Sequence, residues 1–356
     1  MQMETKTYQA AVVKRYTSNP SDYTISKFPY PTIEPNQVEV SVHAASLNPI
    51  DYKRAKGLLR VLQSETLPLK LGYDVAGTIT KVGTGVTQFE VGDKVYGRVK
   101  QENVGTIAEV VAVDADALAK IPEKVPFNVA AGVGLAGLTA KQVLDSLGLD
   151  ETKSLFVPAG MGGVGMFAIM LAKQHYNAKE IITTVSSEKV DRAKELGATR
   201  VIDYTKEDYT EVLKNEVDVA FDTVGDLNIS KVVKPGGSVI SVALLPEGNE
   251  LVKLKKEVGD VNTLGKVRLE AVRRVADLVN WYNNRGFKAK NVSYRTFIMH
   301  PNGKELEETF NPLLASEKIK PVIANVYPFT IEGVQKAFAE AIDGHAAGKI
   351  IINVKD

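Results

Sequence analysis

The sequence predicts an α/β protein in two parts, a small, partly closed β-barrel and a doubly wound parallel sheet. Three observations carry this prediction. Residues 1 to about 127 read as short strands separated by turn residues, the spacing of a small barrel. From about residue 128, apolar strands alternate with helix-periodic stretches, as a parallel sheet with crossover helices requires. Residues 154–204 then place strand, glycine turn, helix and second strand in immediate succession.

In chain order, strands are expected at 8–14, 37–44, 76–82, 94–96 and 107–113, with Pro35-Asn36 and Gly83-Thr84-Gly85 as punctuation. The domain boundary falls near Phe127, and 129–148 reads as a helix. After Asp203 come a helix over 206–214, a strand over 217–222, a segment over 226–233 and a strand over 238–244 that follows Pro235-Gly236-Gly237. Residues 251–285 are charged, helix-permitting and longer than a connecting loop should be. Val267, Val272, Val275, Leu278 and Val279 could form one apolar stripe there, with Arg268, Arg273 and Arg274 largely outside it, to cover a sheet edge or a subunit contact. A strand over 292–300 and a helix over 303–316 follow. Residues 320–329, the helix 331–343 and the strand 349–354 have no further crossover to join and are expected to return to the first domain. The predicted domains are thus 1–127 with 317–356, and 128–316 between them.

The glycine turn is the most informative stretch. An apolar run at 155–157 stops at Pro158, and Gly160-Met161-Gly162-Gly163-Val164-Gly165 opens a helical pattern through Met166, Ile169, Met170 and Ala172. Glycines serve here to turn the chain sharply, to let a pyrophosphate approach the backbone and to let helix and strand pack closely, with the phosphate on unpaired N–H groups at the helix start. That is the fingerprint of a Rossmann sheet, and Gly160, Gly162, Gly163, Val164 and Gly165 are its candidate contacts. At the end of the second strand, Thr183-Thr184-Val185-Ser186-Ser187 lacks the Asp or Glu that would bond a ribose 2′-hydroxyl, and Lys189 and Arg192 follow. Thr184, Ser186 and Lys189 suit a 2′-phosphate, so NADPH is expected over NADH. Ser186 could instead cap the helix 187–196, and Glu188 opposes a phosphate.

Length, composition and charge narrow the class. The chain has 356 residues, a formal net charge of +1 and scattered Lys and Arg, which argue against a nucleic-acid or membrane partner. No apolar run approaches the ~20 residues of a membrane span, and the start of the chain lacks a basic region followed by an apolar one, so a soluble, cytosolic (cytoplasmic) enzyme is expected. There are no cysteines, which excludes disulfides and thiolate metal sites. His43, His175, His300 and His345 lie far apart without ligand-like spacing, so no metal is expected.

Several motifs together resemble the medium-chain dehydrogenase/reductase superfamily over essentially the whole chain. They are Ala44-Ala45-Ser46-Leu47-Asn48-Pro49-Ile50-Asp51-Tyr52-Lys53, Gly72-Tyr73-Asp74-Val75-Ala76-Gly77, Val91-Gly92-Asp93-Lys94-Val95-Tyr96-Gly97, Gly137-Leu138-Thr139-Ala140, the glycine turn, and Leu196-Gly197-Ala198. The resemblance implies a GroES-like catalytic barrel beside the Rossmann domain. In the alcohol dehydrogenases of that superfamily a zinc sits on a Cys, a His in a Gly-His-Glu motif and a later Cys. Here Asn48 stands in the first cysteine's place and Gly72-Tyr73-Asp74 replaces the His motif, which is similar to the zinc-free quinone and enone oxidoreductases, the zeta-crystallin-like branch. The stretch from Ser46 to Lys53 resembles the plant and microbial enone reductases. Residues 299–303 and the 251–285 insertion resemble a bacterial and fungal subgroup annotated only broadly.

The implied activity is NADPH-dependent hydride transfer to the double bond of an enone or alkenal, or to a quinone. Reduction of a simple aldehyde or ketone, and an NADPH-binding protein with little turnover, are the alternatives. Carried over, Asn48 positions the cofactor, Lys53 stabilises the developing oxyanion or orders the protonating water, and Tyr52 and Tyr73 wall the pocket. Asp51 could equally cap a helix, Lys53 be solvated and Tyr73 fill the core. Fold logic places Thr139 at the nicotinamide end, Tyr204 beside the 2′-phosphate, Val224-Gly225 with Ala243 and Leu244 at strand ends, and Gly348-Lys349 closing on the cofactor. Residues 57–70, with Leu58, Leu59, Val61 and Leu62, read as an apolar lid or as a short helix packed on the barrel. The family implies a homodimer, paired through the strand 292–300.

Overall fold

The computed structural model describes residues 6–60, 66–244 and 263–355, with side chains from 270 onward in the last stretch. Val61, Leu62, the first part of the 251–285 insertion, and the side chains of Val267 and Arg268 lie outside the described residues. The chain folds as two compact units, Met1–Leu138 with His300–Asp356, and Thr139–Met299.

The first unit is built on strands β1 (Thr7–Val13), β2 (Tyr23–Pro29), β3 (Gln37–Ser46), β4 (Leu69–Lys70), β5 (Asp74–Val82), β6 (Lys94–Arg98), β7 (Val110–Asp114) and β8 (Leu118–Lys120), joined late in the chain by β15 (Ile323–Pro328) and β16 (Lys349–Asn353). A small sheet runs β2-β1-β4. A seven-stranded sheet runs β15-β16-β3-β5-β6-β8, with β7 also on β3. Val38, Val40 and Val42 of β3 alternate into a core with Val75, Ile79, Val95 and Val113, the period-two pattern of a strand with one buried face. Between β3 and β4 a short helix, α1 (Pro49–Ala55), begins at Asn48.

The return of the C-terminal segment to this unit is a strand pairing. β16 runs antiparallel to β3, with Ile351 opposite Ser46 and Ile352 opposite Ala45. The preceding helix, Ile331–Asp343, is capped by Thr330, whose hydroxyl accepts from Gly333 N at 3.0 Å, and stops at Gly344 in the left-handed region. It buries Val334, Ala337 and Phe338 among Ala11, Tyr23, Leu69, Leu71 and Ile107.

The second unit carries one all-parallel sheet of β9 (Ser154–Val157), β10 (Glu180–Val185), β11 (Arg200–Asp203), β12 (Val217–Asp222), β13 (Val233–Ser241) and β14 (Ser293–Thr296). Their order is β11-β10-β9-β12-β13-β14. The chain moves outward from β9 on one side and then crosses to β12 on the other, which makes the β9/β12 seam the topological switch point where ligands of such sheets bind.

Three expectations change. The helix expected over 129–148 is two, α2 (Phe127–Ala131) and α3 (Gly134–Ser146), because the chain breaks at Gly132-Val133 to aim the start of α3 at Asp74. β13 begins before Pro235-Gly236-Gly237, with its register to β12 shifting across them. The third concerns the long helix Thr263–Lys288, which buries Ala276, Asn280 and Phe287, whose ring stacks on Tyr294 at 4.3 Å. Val275, Leu278 and Val279 are exposed on this chain, so of the two roles expected for the apolar stripe they do not take the covering of a sheet edge.

Phe338 is fully buried with its ring stacked on Tyr23 at 4.2 Å, so it ties the returning helix to β2. Phe338→Ala should cost about 3–5 kcal/mol in denaturant unfolding, the range for emptying a buried aromatic site. A loss under about 1 kcal/mol would show that the returning helix does not depend on this contact.

Candidate functional site

Each unit contains one constellation. In the second unit the glycine turn sits at the C-terminal end of β9. Gly160 N donates to Thr184 O and Ala159 N to Thr184 Oγ1, both at 3.2 Å, so the end of β10 holds the turn. The sharp reversal falls on Ala159, at φ +52°, and not on a glycine as the motif suggests; the hydrogen bonds on either side over-determine that strained conformation. The glycines instead permit close approach. A Cβ on Gly160 would lie 2.2 Å from Thr183 Oγ1, and one on Gly165 would lie 2.4 Å from Ala159 O. Helix α4 (Gly163–Gln174) starts from Gly162 with no side chain over its end, and Gly162, Gly163 and Val164 are partly exposed. Open N–H groups at a helix start beside the switch point fit a pyrophosphate.

Around that turn the register of the sheet assembles the other predicted contacts. Val185 pairs with Asp203, which sets Ser186 beside the 58% exposed Tyr204. Ser186 Oγ donates to Glu188 Oε1 at 2.5 Å, and Lys189 Nζ lies 4.0 Å from the same oxygen, so Glu188 holds both groups proposed for a 2′-phosphate. Ser186 makes no side-chain cap. Sequence reasoning missed Asp203, which takes hydrogen bonds from Ser187 and from Thr205 Oγ1 and an ion pair from Lys206, and is held far below the usual carboxylate range chiefly by the Ser187 and Thr205 hydroxyls. It also missed Asp222. That buried carboxylate accepts from Val224 N at 3.0 Å, Gly225 N at 2.7 Å and Ser241 Oγ at 2.7 Å, and so shapes the loop after β12. Gly225 lies against Leu244 and Ala243, and Thr223 Oγ1 donates to Pro158 O at 2.8 Å across the β9/β12 seam. Thr139 is buried in α3.

In the first unit, Asn48 and Asp74 form a buried polar network. Asp74 is 0% exposed. Its Oδ2 accepts from Ser46 Oγ at 2.6 Å and Asn48 Nδ2 at 2.8 Å, and its Oδ1 from Leu135 N at 2.7 Å, in the first turn of α3. Lys349 Nζ donates to Asn48 Oδ1 at 2.6 Å and Leu47 O at 3.1 Å, and lies 3.5 Å from Asp74 Oδ2. Burial draws this ammonium below its usual pKa, with Asp74 and Asp51 opposing. Asp51, also buried, accepts from Asn48 N at 2.8 Å and Gly72 N at 3.0 Å, so it caps α1 from within its first turn. The chain that reads Asn48 and Gly72-Tyr73-Asp74 in the metal-ligand positions of the resemblance thus fills that place with an amide, a carboxylate and an ammonium. Among the described residues no group of three or more His, Cys, Asp or Glu side chains is placed to hold a metal ion.

Tyr73 is buried in the barrel core, its hydroxyl donating to Gln101 Oε1 at 3.0 Å and its ring under the Arg98 guanidinium. Tyr52 is half-buried, with Lys56 over its ring, and burial raises its pKa. Lys53 is exposed on α1, as is Leu58 beyond it. The motifs quoted from the sequence contained Ser46, Asp51 and Asp74. What would have singled out Ser46 and Asp74 is that each is a polar residue at the end of an apolar, strand-forming run, and Asp51 stands three residues after Asn48, the spacing of a capping box.

A parallel sheet in this order with an open, glycine-lined helix start defines a dinucleotide-binding domain, here in one chain with a barrel completed by both chain ends. Comparisons agree. Residues 34–123 match the family model described as alcohol dehydrogenase GroES-like domain, and residues 196–352 the one described as zinc-binding dehydrogenase. The chain is 35% identical over 330 residues to 2-methylene-furan-3-one reductase of Solanum lycopersicum, covering 91% of this chain and 73% of that one. It is 34% identical to the NADPH-dependent alkenal/one oxidoreductase, chloroplastic, of Arabidopsis thaliana, covering 90% and 73%. The solved quinone oxidoreductase from Coxiella burnetii superposes with a TM-score of 0.81 at 28% identity, over 98% of this chain and all of that one. The chain belongs to the medium-chain dehydrogenase/reductase superfamily, in its zinc-free quinone and enone oxidoreductase branch, and is an oxidoreductase. Among the described residues no helix is long and apolar enough to cross a membrane.

The Asp51 carboxyl is pushed up from 3.8 to about 7, first by burial and then by Asp74, against the two backbone N–H donors and Lys349. A folded-state pKa above the unfolded one means that the folded protein binds that proton more tightly. The stabilisation is therefore full below about pH 4 and is lost as pH rises to about 7. Unfolding free energies of wild type and Asp51→Asn across pH 4–8 should differ by a component of at most about 4 kcal/mol that declines in that window only in wild type. Parallel curves would show that Asp51 stays ionised throughout.

Proposed function

We propose that the protein is an NADPH-dependent reductase of the electron-poor double bond of α,β-unsaturated carbonyls, and of quinones. The observation that carries this reading is the asparagine amide locked at the head of α1 in a chain whose glycine turn leaves a helix start open to a pyrophosphate. The names of the relatives support it, since one is a 2-methylene-furan-3-one reductase and another an NADPH-dependent alkenal/one oxidoreductase.

NADPH supplies hydride from nicotinamide C4. The residues supply position and charge. The uncapped start of α4 holds the pyrophosphate, Ser186, Lys189 and Tyr204 take the adenosine 2′-phosphate, and Val224, Ala243 and Leu244 line the carboxyl ends of β12 and β13, with Thr139 at the nicotinamide end. Ser186 and Lys189 exchange Glu188 for the phosphate on binding. Asn48 fixes the nicotinamide ribose. When hydride reaches the β-carbon of an enone, the C=C π pair moves toward the carbonyl and the oxygen becomes an enolate. The Lys53 ammonium, exposed at the end of α1, meets that oxygen or orders the water that protonates the α-carbon, and the half-buried Tyr52 stands beside it, whereas Tyr73 fills the barrel core and walls no pocket. A conjugated acceptor needs no stronger Lewis acid, because its negative charge is already delocalised onto oxygen.

Chelator-treated protein should oxidise NADPH with a 2-alkenal and yield the saturated aldehyde, and act on a naphthoquinone. Allylic alcohol as product, or turnover only with saturated aldehydes, would overturn the reading. Lys189→Ala should raise the NADPH dissociation constant about ten- to a hundredfold, the worth of one charge-assisted hydrogen bond, and leave NADH binding unchanged. Equal effects on both cofactors would remove Lys189 from the 2′-phosphate site. We also read the protein as a homodimer formed through the edge strand Ser293–Thr296, which has one strand neighbour among the described residues. Sedimentation at micromolar concentration should give twice the chain mass, and a monomer would contradict it.

A further inference from the structure

Lys349 opens β16, and its position is set by backbone on both sides. Its N donates to Val322 O at 2.8 Å, and Gly348 before it lies at φ +127° with Val322 O only 2.4 Å from where a Cβ would be. Ile350, Ile351 and Ile352 after it are buried. The lysine stem therefore has to run inward. Its ammonium arrives 2.6 Å from Asn48 Oδ1, while Asp74 Oδ2 is 2.8 Å from Asn48 Nδ2.

An ammonium can only donate and a carboxylate can only accept. Between them the Asn48 amide fits one way round, oxygen toward Lys349 and nitrogen toward Asp74. The wrong orientation would face N–H against N–H and oxygen against oxygen in a site closed to water, where such contacts are most costly. One hydrogen on Nδ2 is left over. We propose that Lys349 is a positioning residue for hydride transfer: it fixes the orientation of the Asn48 amide, so that the remaining N–H meets the nicotinamide ribose in one arrangement. This rests on the assignment of Asn48 to the cofactor made above, and gives Lys349 a role through Asn48 in place of direct contact with the cofactor.

A purely charge-balancing lysine is the competing account, because Asp74 is buried and needs a cation or good donors. Ser46 Oγ and Leu135 N already serve Asp74, so the two accounts separate when Lys349 is changed. Lys349→Met keeps the stem and removes the donor, and Lys349→Arg keeps a donor. The first readout is independent of turnover: full-length protein labelled with 15N only at asparagine, with the Asn48 side-chain pair assigned by its disappearance in Asn48→Ala. Wild type and Lys349→Arg should show a sharp, slowly exchanging amide pair. In Lys349→Met that pair should exchange with water at least about tenfold faster, as expected for a buried amide that has lost one of two partners.

The second readout is kinetic. Lys349→Met should lower kcat about ten- to a hundredfold, the cost of a slightly misplaced reacting group, with the NADPH dissociation constant changed less than about threefold. Combining it with Asn48→Ala should lower kcat no further than Asn48→Ala alone. If Lys349→Met does not fold, Asp74→Asn/Lys349→Met removes both charges and should still show the fast-exchanging amide. An Asn48 pair unchanged in Lys349→Met or in that neutral pair overturns the proposal, as do kcat losses that simply add. Failure of wild type to reduce any enone or quinone counts against the assigned reaction, and the amide measurement then decides Lys349 by itself.

Discussion

A carboxylate with no exposed surface must find its partners inside the protein, and Asp74 draws four segments of the barrel unit together to do so. β3 supplies Ser46, the head of α1 supplies Asn48, the start of α3 supplies Leu135 N, and the returning strand β16 brings the Lys349 ammonium within 3.5 Å. Removing such a charge from water costs several kcal/mol unless hydrogen bonds and an opposite charge repay it. Because no one segment repays it alone, the N-terminal barrel strands are committed to the C-terminal strand. That commitment holds the Asn48 amide rigidly between a carboxylate and an ammonium.

The second unit solves a different problem with the same economy of parts. An incoming anion needs donors that are already oriented, and a parallel sheet with crossover helices presents a helix start beside its switch point without further construction. Glycine at 160 and 165 lets α4 pack close enough to expose those donors, and the Thr184 hydroxyl and carbonyl hold the turn. Asp222 does for the loop after β12 what Thr184 does for the turn after β9, using its carboxylate to gather successive backbone N–H groups.

These two solutions were unequally legible in the sequence. The glycine turn, the strands around it and the helix Ile331–Asp343 announce themselves locally, through a fingerprint, through apolar periodicity and through a Thr cap with a terminal glycine. The resemblance carried the reading further, to Asn48 and the absence of the usual ligands. The pairing of Asp74 with Lys349 was hidden because the residues lie on strands from opposite ends of the chain, and composition holds no trace of which Lys is buried. The left-handed turn at Ala159 was hidden because the motif draws attention to its glycines. The face by which the helix Thr263–Lys288 packs on its own chain was hidden for a third reason. Val275, Leu278 and Val279 are exposed, while the packing is made by Ala276, Asn280 and Phe287, a set that mixes a small, a polar and an aromatic residue.

In the proposed reaction hydride goes to carbon at the far end of a conjugated system, and the Asn48 amide and the Lys53 ammonium suffice for the cofactor's position and the charge that develops on oxygen. Reduction of a 2-alkenal with NADPH deuterated at nicotinamide C4 locates that transfer directly. Deuterium is expected at the β-carbon of a saturated aldehyde, with a solvent-derived proton at the α-carbon. Deuterium at the carbonyl carbon of an alcohol that keeps its double bond would contradict it.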